Sequence, residues 1–86
     1  MRSDYKKIFK AFCQRRIPAV RRGKGLTQAR MADILCMDTR SYAGIEHGER
    51  SCGGLTSALF LIYCCPDPLA FLAELKAVFE DAKHAA

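Results

Sequence analysis

Apolar positions recur along this chain at the spacing of helices. Between residues 4 and 22, Ile8, Phe9, Phe12 and Cys13 fall at i, i+3 and i+4 intervals with basic residues between them. Pro18 interrupts the pattern, because it lacks a backbone donor and disfavours helical geometry at Ile17. Either one helix kinks there or two short helices meet. Gly23 and Gly25 then mark a turn. A second helix is expected to start at Thr27, whose hydroxyl can cap the first-turn amides, with Met31, Ala32 and Leu35 on its buried face. Cys36 and Met37 make a tight turn. Asp38 is the N-cap of a third helix, about residues 39–47, with Tyr42 and Ile45 facing inward and Gly48 as a left-handed cap.

After a loop over residues 51–54, a fourth helix at about 55–64 is apolar on almost every side, so it is buried or covered by a partner. Pro66 stops it. Asp67 and Pro68 supply the cap and first position of a last helix, about 68–83. On that helix Leu72, Leu75, Phe79 and Ala82 form one apolar stripe, and Phe71 and Val78 a second. The expected fold is all-α, a compact bundle of about five helices forming a single domain over residues 1–86.

Composition narrows the class. A chain of 86 residues buries only about 60–65% of its unfolded surface, so stability is modest. The half of it that is hydrophobic argues against disorder. The apolar run from Ala58 to Cys65 is far shorter than the roughly 20 residues that span a bilayer, so no membrane partner is expected. The N-terminal residues are charged, with no apolar stretch before a cleavage site, so no secretory signal is expected. Cys13, Cys36, Cys52, Cys64 and Cys65 are odd in number and irregular in spacing, without a C-x-x-C pair, and His47 and His84 complete no ligand pattern. The expectation is a reduced, cytoplasmic protein with no metal and no cofactor, its cysteines serving as small core residues.

Charge changes the picture further. In residues 1–30 ten basic side chains face one acid, a balance of +9, whereas in residues 31–86 four basic side chains face eight acids, a balance of −4. That asymmetry favours a polyanionic partner over a uniformly solvated surface.

The segment that organises these features is Leu26 to Arg50. Its pattern L-T-Q-x-x-x-A-x-x-L, a three-residue turn, then R-S-x-x-x-I-E-x-G, resembles the lambda repressor/Cro-type (XRE-like) helix-turn-helix family, with Gln28, Ala32, Leu35, Ile45, Glu46 and Gly48 at matching positions. The motif covers about 27–47. The physics of a helix crossing agrees: a small Ala32 lets the two helices approach, and Leu35 and Ile45 supply apolar contact.

The resemblance implies a lambda repressor-like DNA-binding domain with the helix at about 39–47 in the major groove. Gln28 would bond a phosphate, and Thr39, Arg40 and Ser41 would meet base edges. Ala43 and Gly44 would follow near the groove floor, and His47 and Arg50 would reach phosphates. Arg40 suits guanine, whose O6 and N7 match its planar fork, or else a phosphate. Arg30, a cation in a first helical turn where the dipole disfavours one, is either a phosphate contact or a neutral surface choice. The resemblance also implies a salt bridge between Arg21 and Glu46.

The chain departs from the family pattern at Cys36, where glycine is usual, at Gly44, which removes a side chain from a usual base-contacting position, at Pro18 within the first helix, and after Gly48, where Cys52-Gly53-Gly54 replaces a usual proline. The function so implied is a sequence-specific, double-stranded-DNA-binding transcriptional regulator of repressor type. A homodimer through the apolar surface of Leu55 to Cys65 and Leu69 to Phe79 would double the site, unless the core consumes that surface. The alternative is a protein-interaction module or antitoxin-like partner on the same scaffold. Catalysis is not expected, since neither an oriented nucleophile–base pair nor a paired-carboxylate pocket is suggested.

Overall fold

Three helices in succession end in the same backbone motif, and that repetition sets the path of the first half of the chain. The computed structural model describes residues 2–85, and side chains up to residue 84. Helix α1 spans Arg2–Gly23, α2 Gln28–Ile34, α3 Thr39–Glu46, α4 Gly54–Tyr63 and α5 Pro68–Ala85. The described residues contain no strand, so the protein is an all-α bundle of five helices. Its radius of gyration of 12.8 Å is close to the roughly 12 Å expected for one packed body of this length.

Helix α1 runs through Pro18 as a single helix of 22 residues. Pro18 and Ile17 are both buried, so packing holds the helix together across the missing hydrogen bond. At its end the Leu26 amide donates to the Arg21 carbonyl (3.1 Å) and the Gly25 amide to that of Arg22 (3.0 Å), with Gly25 left-handed at φ 69°. Helix α2 closes the same way, Met37 to Ala32 (3.0 Å) and Cys36 to Asp33 (3.1 Å), and so does α3, Glu49 to Gly44 (2.8 Å) and Gly48 to Ile45 (3.2 Å). These nested bonds satisfy carbonyls that a helix end otherwise leaves unpaired. The left-handed residue is glycine in α1 and α3 but Cys36 in α2, at φ 56°. A side chain in that conformation costs roughly 1 kcal/mol.

The helix starts are equally local. Thr27 accepts from the Arg30 amide (3.1 Å), Asp38 from the Ser41 amide (2.7 Å), and Asp67 from the Ala70 amide (3.0 Å). Each cap offsets an orphan donor and is worth about 1 kcal/mol. Helix α4 starts at Gly53 with no side-chain cap.

The core gathers Phe12, Cys13 and Ile17 from α1, Met31, Ala32 and Leu35 from α2 and its cap, Tyr42 and Ile45 from α3, and Phe60 and Phe71 from α4 and α5. Phe71 ties the two halves together: its ring meets Phe12 edge-on at 5.1 Å and Phe60 at 5.3 Å. Such pairs add about 0.5–1.5 kcal/mol beyond the area they bury.

Two sequence expectations change here. On α5 the inward side follows Phe71, Leu75 and Val78, and Leu72 turns to solvent. Phe79 packs edge-on against Tyr5 at 5.1 Å, so the far end of the 69–79 surface is occupied by α1. Helix α4 is buried only through Phe60 and the following Cys64, with Leu59 and Leu61 partly covered. Leu55 is 72% exposed, Ile62 69% and Leu69 79%. The surplus apolar surface is therefore narrower than 55–65 plus 69–79. It comprises Leu55, Ile62 and Tyr63 on α4, with Leu69 and Leu72 on α5. None of the described helices is long and apolar enough to cross a membrane.

Candidate nucleic-acid interface

Helix α3 is held from behind. Tyr42 and Ile45 are buried against α1 and α2, and Glu46, at the helix end, is the hub of a polar cluster beneath it. Arg21 approaches Glu46 with two nitrogens, Nε to Oε2 at 2.7 Å and Nη2 to Oε1 at 3.3 Å, while its Nη1 donates to the Leu26 carbonyl at 2.9 Å. The Gln28 amide donates to Glu46 Oε1 at 3.0 Å, and the Tyr42 hydroxyl to Oε2. One carboxylate thus joins the end of α1, the start of α2 and two turns of α3.

Burial pushes the Glu46 carboxyl up, but the hydrogen bonds from Arg21, Tyr42 and Gln28 outweigh it and hold it below the usual carboxylate range. Burial, reinforced by Glu46, pushes the Tyr42 phenol up. The cluster is therefore ionic, with Glu46 charged and neutralised by Arg21. Its negative charge is not presented to a polyanion outside.

The pair Arg21–Glu46, expected from the resemblance, is present. Gln28 does something else: its amide turns inward to Glu46 instead of outward to a phosphate. The Tyr42 hydroxyl was not among the expected site groups. The signal was a tyrosine one helical turn before a partly buried acid, where phenylalanine would have filled the same space.

The outer face of α3 begins with Thr39 and Arg40, both exposed. Ser41 is half-buried, and its hydroxyl donates to Asp38 Oδ2 at 3.0 Å, so it serves the cap instead of offering its proton outward. Bonds from the Ser41 amide and hydroxyl, helped by the nearby charge of Arg50, hold the Asp38 carboxyl below its usual range. Ala43 is half-buried and His47 is exposed.

Gly44 is buried, which corrects its expected place on the groove floor. The stem of Arg50 lies across it: a Cβ built on Gly44 would meet Arg50 Cγ at 2.8 Å and Cδ at 2.9 Å. The missing side chain is the seat of an arginine from the following loop. A glycine inside a helix costs about 1 kcal/mol relative to alanine, and that cost was the readable hint that something needs the space. Gly48 is constrained by its φ of 74°; the Gln14 amide that an added Cβ would meet at 2.6 Å is the far end of an exposed side chain that can turn away.

Arg30 is exposed on the first turn of α2. Arg30, Arg40 and Arg50 thus carry exposed positive charge on the α2–α3 unit. Not all of the basic excess of residues 1–30 faces outward as net charge. Arg21 is consumed internally, and Arg16 is bridged to Glu74 at 3.1 Å. Among the described residues, no three of His, Cys, Asp and Glu converge as a metal site would require. In comparisons with known proteins, no family model matches the chain, and neither a curated protein nor a solved structure does.

Proposed function

We propose that this protein is a sequence-specific double-stranded-DNA-binding regulator of the lambda repressor/Cro type, with α3 entering the major groove. One observation carries the reading. Helix α3 is fixed on its inner side by Tyr42, Ile45 and the Glu46 cluster, while Thr39 and Arg40 at its leading end are uncovered and Arg50 is laid across its outer face. A helix locked from behind presents base-contacting groups with no backbone ordering left to do, and helix N-terminal residues are those that reach base edges in this mode. Arg40 is the candidate for guanine readout. Arg50 is the second, taking over the surface that a side chain at residue 44 would hold. Arg30 and His47 flank them as phosphate contacts.

One such helix reads few base pairs, so a dimer on a two-fold site suits the function. Leu55, Ile62 and Tyr63, exposed on α4, and Leu69 and Leu72, exposed on α5, are the candidates for its apolar contact. That same surface supports the second reading, a protein-interaction module whose partner covers α4.

The test is retardation of duplex DNA taken from beside the protein's own coding sequence, against a scrambled duplex, at two salt concentrations. The expected result is preferential, salt-sensitive binding, with log K falling by about 0.9 per phosphate neutralised for each tenfold rise in salt. Arg40→Ala should weaken specific binding about tenfold or more, and Arg50→Ala should weaken it as well. Binding that survives Arg40→Ala combined with Arg50→Ala overturns the assignment of α3. No retardation of any duplex at low salt overturns DNA binding and favours the second reading.

A further inference from the structure

Two thiols from distant parts of the chain line one cavity inside the bundle. Cys13 lies on α1 and Cys52 in the short extended segment between α3 and α4, and both are almost fully buried, at 2% and 6% exposure. Ser57 Oγ donates to Cys52 Sγ at 3.4 Å. Both sulfurs border a cavity of about 120 Å³, walled otherwise by Phe9, Ile17, Phe60 and Leu61 and reaching the solvent-exposed Leu72. A water needs only about 10–15 Å³ of such space, so the cavity admits an oxidant of similar size.

We propose that Cys13 and Cys52 are an oxidative modification site that closes to a disulfide when a small peroxide enters this cavity. The Cys52 sulfur attacks one peroxide oxygen. The O–O bond breaks, hydroxide leaves and is protonated to water, and Cys52 becomes a sulfenic acid. The Cys13 sulfur then attacks the Cys52 sulfur, expelling the second oxygen, which leaves as water with the Cys13 proton. Two thiols give up two electrons and one hydrogen peroxide accepts them.

The order of attack follows from the surroundings. Hydrogen bonds from Cys13 and Ser57 hold the Cys52 thiol below its ordinary range against the effect of burial, whereas the contact with Cys52 and burial both push Cys13 up. Cys52 is thus the nucleophile and Cys13 the resolving thiol. To bond, the two sulfurs must close to about 2.05 Å. The segment that moves is followed by Gly53 and Gly54, around which nothing lies within 4 Å of an added Cβ.

The other thiols are placed differently. Cys64 donates to the Met31 sulfur at 3.5 Å, and Cys36 is exposed on its turn. A 13–52 bridge would enclose α2 and α3 completely, pinning both ends of the candidate interface to α1 without touching its outer face. It would act as a staple, independent of whether the interface binds DNA.

The test uses the full chain, reduced, freed of reductant and treated with a small excess of hydrogen peroxide at neutral pH. The remaining thiols are then alkylated under denaturing conditions. The expected product is a monomer lighter by two hydrogens. In it the tryptic peptide 11–15 is joined to peptide 51–76, with fragmentation between residues 52 and 64 placing the link at Cys52. The link should persist in a Cys36→Ser/Cys65→Ser variant and vanish in Cys52→Ala. The oxidised chain should melt at least about 5 °C higher than the reduced one, reversibly with reductant. Recovery of Cys13 and Cys52 as alkylated thiols after Cys36 has been oxidised overturns the site. A link that forms but lowers the melting temperature overturns the staple.

Discussion

The two halves of this bundle are built on different principles. Up to residue 50, polar groups dictate geometry: α1, α2 and α3 end in the same nested hydrogen-bond motif, α2 and α3 begin on side-chain caps, and one partly buried carboxylate joins them all. From residue 51 to residue 66 the chain carries no charge at all, and α4 is held by Phe60, Cys64 and partial apolar contacts while Leu55 and Ile62 face solvent. Directional bonds specify an orientation, whereas apolar contact specifies only proximity. The first half therefore holds a helix rigidly enough to present a surface. The second half leaves apolar area that a partner can cover.

Replacing Glu46 with alanine attacks the specified half at its hub. It leaves the partly buried Arg21 without its counter-charge and strips Tyr42 and Gln28 of an acceptor, so a loss of about 2–3 kcal/mol is expected in urea denaturation. The same cluster sets an acid dependence. Glu46 is held below its ordinary value of 4.5, so the unfolded chain binds the proton more readily. Its contribution is complete above about pH 4.5 and is lost as pH falls through the folded value. Asp38, lowered from 3.8, acts in the same sense, so Glu46→Gln should flatten the acid limb of a stability–pH curve without abolishing it.

A smaller effect of opposite sign is expected at the turn between α2 and α3. Cys36→Gly relieves the left-handed strain at φ 56° and should raise stability by about 0.5–1 kcal/mol, read as a higher melting temperature. Smallest of all is the expected change in monomer stability on replacing Leu55 and Ile62 with serine, within about 0.5 kcal/mol because both already face water. The proposed dimer should be lost in sedimentation with the same pair of changes, and a stability loss of several kcal/mol instead would show that the two halves are less different than they look.

Much of the fold was readable along the chain. Thr27, Asp38 and Asp67 marked helix starts, Gly23 with Gly25 a turn and Gly48 a helix end, because capping involves residues within a few positions of one another. The stripe on α5 was not resolved: two apolar faces existed, and the placement of Phe12 and Phe60 selected Phe71 over Leu72. At the candidate interface, exposed Thr39 and Arg40 could be anticipated from the cap at Asp38. The inward turn of Gln28, the capping use of the Ser41 hydroxyl and the seating of Arg50 over Gly44 could not.

Sequence alone thus determined where helices begin and end, which residues are apolar, and how charge is divided between the halves, since these depend on neighbours a few bonds away. Tertiary structure decided which of two faces is buried, which polar side chain serves the interior, and which thiols line one cavity. Those outcomes depend on what another helix brings to the same few cubic ångströms, and no local pattern encodes that.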